Sequence, residues 1–281
     1  MKSLLKEIAL RHDCNLNEVK PLSGGDINQV FLLKCKETNL VAKLNLASKF
    51  PTLFEAEAKG LQRLAASKSF KIPKVLGTGE ISGYAYLLLE HIPQDKPVSG
   101  FWERFAENLA ALHKTSHNRF GLDHDNYIGS LKQFNCPETT AADFYLNQRL
   151  IPQFRLAMDN GFQFEDLGKF YKKVLRLIPD GAPSLVHGDL WNGNYLISEK
   201  GAPVLIDPAV AYAPCEMDLA MMQLFGGFPQ EVFSTYDEIF NLQEDWKERV
   251  PLFQLYYLLV HLNLFGHGYL QQVKGILKKF S

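Results

Sequence analysis

The chain has 281 residues, 46% of them hydrophobic and 22% charged, with a formal net charge of −1. That length can bury a substantial core as one large domain or two lobes. The near-neutral balance gives no electrostatic case for nucleic acid or an anionic membrane as the main partner. Cys14, Cys35, Cys136 and Cys215 stand far apart, without a C-x-x-C pair. This spacing argues against structural zinc or a disulfide framework and predicts reduced, buried thiols in a cytoplasmic protein. Lys2 puts a charge too early for a signal-peptide apolar region, so Met1–Glu7 is expected as a short amphipathic helix. The most apolar stretch, Leu252 to Phe265, is interrupted by Gln254, His261 and Asn263. It falls short of the roughly twenty apolar residues of a membrane span and predicts a buried helix.

Pro21–Asn28 is a polar turn carrying Gly24 and Gly25, followed by Asp26 and Asn28. Gln29–Leu33 and Leu40–Leu44 read as strands around a turn near Glu37–Asn39. Paired glycines let a backbone approach phosphate oxygens, but the same pattern fits a plain hairpin turn. Leu53 to Ala66 is helical by its spacing, and Glu57 falls inside the stripe of Leu53, Leu61 and Leu64. An inward carboxylate is costly unless paired, and Lys43, mid-strand, is the candidate partner. A lysine so held is what a kinase aims at the α/β-phosphates of ATP. The bland alternative is a solvated Lys43 with Glu57 at the rim. Tyr84–Ile92 is a strand stopped by Pro93, where a kinase would receive adenine on the backbone around Glu90 and Ile92. An ordinary exit loop fits those residues equally.

Beyond residue 93 the pattern turns helical. Phe101, Phe105, Leu109 and Leu112 recur at helical spacing up to His113, read as a core or capping histidine. Asp125–Gly129 is a Gly- and Asx-marked loop. Ala141–Met158 and Asp166–Leu177 are expected as amphipathic helices, and Asp218 as the N-cap of a helix ending at Gly226-Gly227, a place compatible with fixing the catalytic loop from below.

The stretch 185–208 carries the chemistry. Leu185-Val186 leads into a loop bearing His187, Asp189, Trp191, Asn192 and Asn194. Two short strands, Tyr195–Ile197 and Val204–Ile206, turn at Lys200-Gly201 and deliver Asp207. Phosphoryl transfer needs a carboxylate facing the acceptor hydroxyl, and a carboxylate plus an amide holding Mg²⁺ on the phosphates. Asp189, Asp207 and Asn194 supply that set, and the Asp189-x-x-x-x-Asn194 interval matches a kinase catalytic loop. A hydrolase built on His187, Asp189 and Asp207 as a metal cluster leaves Lys43 and Glu57 unexplained. A nucleotide-binding pseudokinase leaves the complete residue set unexplained.

His187–Asn194 with Asp207-Pro208-Ala209-Val210, Ser23–Asn28, Asp125–Gly129, Glu216–Met221, Leu224–Phe228 and Tyr256–Asn263 resembles the fructosamine/ketosamine kinases, within the aminoglycoside phosphotransferase and choline kinase group. The resemblance covers nearly the whole chain. It implies an α+β, bilobal protein-kinase-like fold, with a small antiparallel-sheet lobe over residues 1–92 and a mostly helical lobe over 93–281. It implies ATP and Mg²⁺ as cofactors and a small-molecule or protein-bound ketosamine as acceptor, phosphorylated at the third sugar carbon. The adduct then falls apart, which is deglycation, a protein-repair role in the cytoplasm. By that resemblance Asp189 is catalytic, and Asn194 and Asp207 hold the metal. Gly24, Gly25, Asp26, Asn28, Lys43, Glu57, Glu90 and Ile92 bind ATP, while Trp191 and His187 lie on the substrate side. A monomer or homodimer acting on no nucleic acid or membrane is expected. An aminoglycoside or other amino-alcohol is the alternative acceptor. Some relatives carry cysteine where Asp26 stands, so their thiol switch would be absent here.

Overall fold

The computed structural model describes residues 1–22, 27–36 and 38–280. The chain runs through α1 (Lys2–Arg11), β1 (Leu16–Leu22), β2 (Gln29–Cys35), β3 (Asn39–Leu46), α2 (Leu53–Ser67), β4 (Val75–Ile81) and β5 (Tyr84–Glu90). These strands form one antiparallel sheet in the order β1-β2-β3-β5-β4. Alternation sorts β3: Leu40, Ala42 and Leu44 pack with Leu4, Leu5 and Ile8 of α1, leaving Lys43 for the other face. Ser82 and Gly83 both take positive φ, +52° and +79°, the two-residue turn whose twist suits a tight β4–β5 hairpin.

Next come α3 (Phe101–His113), β6 (Asn126–Ile128), β7 (Leu131–Gln133), α4 (Ala141–Phe144), a π-helical segment (Tyr145–Leu150), α5 (Ile151–Asp159), α6 (Leu167–Leu177) and β8 (Ser184–Val186). The hairpin β9 (Tyr195–Ile197) and β10 (Pro203–Leu205) precedes β11 (Ala211–Ala213), which pairs with β8. Then follow α7 (Glu216–Leu224), α8 (Gln230–Phe240), α9 (Trp246–Phe265) and α10 (Leu270–Phe280). The chain divides into two compact units, Met1–Phe101 with Tyr195–Asp207, and Trp102–Asn194 with Pro208–Ser281. In the second unit α9 is the central helix, buried on most of its circumference. Among the described residues no helix is long and apolar enough to cross a membrane.

Three expectations are corrected. Cys14 and Cys35 are bonded to each other, with Cα atoms 5.8 Å apart. A turn after α1, left-handed at Asp13, and the β1–β2 register that sets Leu16 opposite Cys35 bring them together. The remaining thiols are not both buried, since Cys136 is exposed. Asp218 is not an N-cap: Cys215 occupies that position, and Asp218 lies in the first turn of α7, fully buried. Protein purified without reductant and then denatured should show two titratable thiols per chain, Cys136 and Cys215, rising to four on reduction. Four thiols before reduction would contradict the bond.

Candidate active site

In the first unit the polar centre is Lys43. It lies on β3 between Val30 and Leu87 of the neighbouring strands, only 5% exposed. Its Nζ donates to Glu57 Oε1 at 2.7 Å and to Asp207 Oδ1 at 2.9 Å. Burial alone would lower the ammonium's pKa, but the Asp207 and Glu57 carboxylates outweigh it and hold Lys43 well above the ordinary lysine range. Burial raises the Glu57 carboxyl, with Lys43 opposing. The ammonium is therefore the fixed charge of the cluster. Asp207 takes φ +54°, a left-handed conformation that Asp tolerates better than most residues. Its side chain remains 39% exposed.

The antiparallel register pairs Tyr195 with Leu205, so the chain enters and leaves the β9–β10 hairpin at one end. Asn28 Oδ1 accepts from Asn45 Nδ2 at 2.8 Å, which ties the start of β2 to β3. Glu90 ends β5, its carboxylate accepting the Lys74 N–H at 3.2 Å, and Ile92 is buried. Gly24, Gly25 and Asp26 lie outside the described residues.

In the second unit the centre is the loop after β8. Asn194 Nδ2 donates to the Asp189 carbonyl at 2.8 Å and to Asp189 Oδ2 at 3.1 Å. Asp189 is half-exposed, whereas His187 is fully buried. His187 Nδ1 accepts the Asp189 N–H at 3.3 Å, a bracing contact. Beneath the loop, Asp218 Oδ2 accepts the His187 N–H at 2.7 Å and Oδ1 accepts the Gly188 N–H at 2.8 Å. His113 Nε2 meets Asp218 Oδ2 at 3.1 Å, and Tyr236 Oη meets His113 Nδ1 at 2.7 Å. A neutral ring satisfies both contacts, donating to the carboxylate and accepting the phenol O–H. Gly188 is at φ +84°, where a Cβ would stand 2.0 Å from the Ala209 carbonyl oxygen. No other residue fits that approach.

His113, expected as a core or capping histidine, thus links Asp218 to Tyr236, a relay that spacing along the chain does not show. Nor does spacing show a half-exposed aromatic group, Phe225, Phe265 and Tyr269 around His261, with ring centroids 4.8–5.5 Å from the imidazole. Gly226-Gly227 was the available signal: at Gly227, φ +91°, a Cβ would sit 2.5 Å from that of Asn192, so this turn packs against the loop. Trp191 is 36% exposed, its ring covering Gly193.

The fructosamine kinase family model matches residues 2–281. The chain belongs to that family. A probable ketoamine kinase of Enterococcus faecium is 40% identical, over 95% of this chain and 97% of its own length. A crystal structure from Thermobifida fusca, assigned as a fructosamine-3-kinase, superposes with a TM-score of 0.87 at 33% identity, covering 99% of this chain and 98% of that one. An aminoglycoside phosphotransferase in ternary complex with ADP and hygromycin B shares the fold, with a TM-score of 0.66 at 17% identity over 98% of both chains. The protein is thus an ATP-dependent phosphotransferase of protein-kinase-like α+β fold, in a family of kinases acting on ketosamines.

Removing Lys43 leaves a buried Glu57 carboxylate without its cation. Lys43→Met should destabilise the fold by on the order of 3 kcal/mol at pH 7, discounted for Asp207's exposure, and raise the Glu57 carboxyl further. A carboxyl raised in the folded state costs stability as pH rises through its pKa, so the deficit should shrink on acidification towards pH 5. Urea melts at the two pH values would read this, and an equal deficit at both would refute the charge account.

Proposed function

We propose that this chain transfers the γ-phosphoryl group of ATP to the hydroxyl on the third sugar carbon of a ketosamine such as ribulosamine, erythrulosamine or fructosamine, free or protein-bound. The observation that carries this reading is the half-exposed Asp189 carboxylate, held by Asn194 on a loop whose backbone is bonded to a buried Asp218. In the reaction the sugar oxygen forms its bond to the γ-phosphorus as the bond to ADP breaks. The hydroxyl proton passes to Asp189, late if the transition state is loose. Lys43 sets its charge against the α/β-phosphates, and Glu57 keeps it there. Gly24, Gly25 and Asp26, outside the described residues, and Asn28 bind ATP in this reading, and the backbone around Glu90–Ile92 takes the adenine. Trp191 offers an exposed aromatic face to the sugar.

Asn194 and Asp207 present only oxygen ligands, which suits Mg²⁺ bound partly through phosphate oxygens. Mg²⁺ would neutralise charge on those phosphates. The 3-phosphate adduct then breaks down and frees the amine, which makes the chain a deglycating, repairing enzyme. A cytoplasmic location, where ATP is supplied, fits that role.

Asp189→Asn should lower turnover by roughly 10²–10⁴-fold while ATP binding persists. A coupled ADP-release assay across fructosamine, ribulosamine, erythrulosamine and an aminoglycoside would test both claims. Near-normal turnover in the variant would refute the role of Asp189. Turnover on the aminoglycoside alone would refute the acceptor class.

A further inference from the structure

The Asp125–Gly129 motif has no part in the reaction as described, yet its Asn126 is 4% exposed. It belongs to a chain of five buried polar side chains in the second unit. Arg149, in the π-helical segment and 1% exposed, donates to the carbonyls of Phe134 and Gln148 and to Asn135 Oδ1 at 2.8 Å. Its guanidinium lies over the ring of Phe144, 4.5 Å from the centroid, and that of Tyr256 at 5.6 Å. Asn135 Nδ2 donates to Asn126 Oδ1 at 2.9 Å, and Asn126 Nδ2 donates to the Val210 carbonyl at 2.8 Å. A second branch starts at Tyr256, whose hydroxyl donates to Gln133 Oε1 at 2.7 Å. Gln133 Nε2 donates to Asn126 Oδ1 at 2.8 Å and to the Ala209 carbonyl at 3.0 Å.

The direction of every bond follows from one residue. Arginine can only donate, so Asn135 must present its oxygen to Arg149 and its N–H group to Asn126. Asn126 must then offer its oxygen inwards and its N–H group to Val210. Gln133 also needs that oxygen, which sets its own amide and leaves its remaining N–H for Ala209. Both branches end on the carbonyls of Ala209 and Val210. Ala209 in turn donates its N–H to the His187 carbonyl at 2.9 Å, and its carbonyl oxygen limits Gly188. Asp189 follows immediately.

We propose that Gln133, Asn126, Asn135, Arg149 and Tyr256 form a positioning network that sets the Ala209–Val210 backbone against His187-Gly188 and so fixes the Asp189 carboxylate. None of the five touches substrate under this proposal; each acts through the Ala209–Val210 backbone. The inference rests on the phosphotransfer reading for its kinetic consequence but not for its structural one.

Gln133→Met keeps the length of the side chain and removes both donors and the acceptor. Displacing a reacting group by about 1 Å can cost on the order of 100-fold in rate. The variant should lose at least tenfold in kcat (roughly a 0.5 Å share of that sensitivity), with the KM for ATP changed less than about twofold. Hydrogen exchange in peptides spanning 185–194 should be faster than in the unsubstituted protein. A folded Gln133→Met with kcat within about twofold and unchanged exchange would overturn the proposal, since a purely structural role would move only the melting temperature. Should Gln133→Met fail to fold, Tyr256→Phe, which deletes one hydroxyl and keeps the ring, gives the decision by the same readouts. Absence of kinase activity in the unsubstituted chain would defeat the functional reading alone, leaving the exchange experiment to judge the network.

Discussion

The carboxylate of Asp218 is the constraint on which the loop after β8 depends. Two consecutive backbone N–H groups, of His187 and Gly188, end on its two oxygens. A fully buried carboxylate is tolerable only with such a complement of donors, and His113 supplies a third. The residue type at each neighbouring position follows from this. Position 188 must be glycine because the backbone turns left-handed against Ala209. Position 113 needs a ring with a donor on one side and an acceptor on the other, and Tyr236 completes it. The loop that carries Asp189 is therefore held from beneath by backbone bonds to Asp218.

The first unit is organised on a different principle. Its buried polar group is a charge, Lys43, offset by two carboxylates that arrive from α2 and from beyond β10. Because the ammonium is held well above its ordinary pKa, it stays charged across physiological pH. That permanence is what the proposed contact with phosphates would use. The second unit instead fixes its backbone with neutral amides whose orientation is set by one buried arginine.

The legible parts of this arrangement are those with a short sequence period. The Asp189-to-Asn194 interval, the strand placing Lys43 and the helical stripe enclosing Glu57 are each local, and each follows from spacing. The hairpin delivering Asp207 is marked by its turn at Lys200-Gly201. What escaped was non-local. The Cys14–Cys35 bond depends on the β1–β2 register, which cysteine spacing does not encode. His113 meets Asp218 across 105 residues of chain and Tyr236 across 123. Ala141–Met158 reads as one amphipathic helix, yet Pro152, near the start of α5, lacks an N–H for regular helical bonding. The π-helical turn before it carries Arg149, which a period of 3.6 residues sets on the buried face with Ala142, Leu146 and Ala157, but spacing does not show which groups it bonds there.

The central claim, that backbone bonds to a buried carboxylate present Asp189 for phosphoryl transfer, is tested most directly by the turnover of Asp218→Asn with ATP and a ketosamine acceptor. The substitution keeps the shape but replaces one accepting oxygen with a donor that faces a backbone N–H. The account predicts a loss of about 100-fold or more in kcat, with ATP affinity by calorimetry unchanged. Turnover within a few-fold of the unsubstituted protein would contradict it.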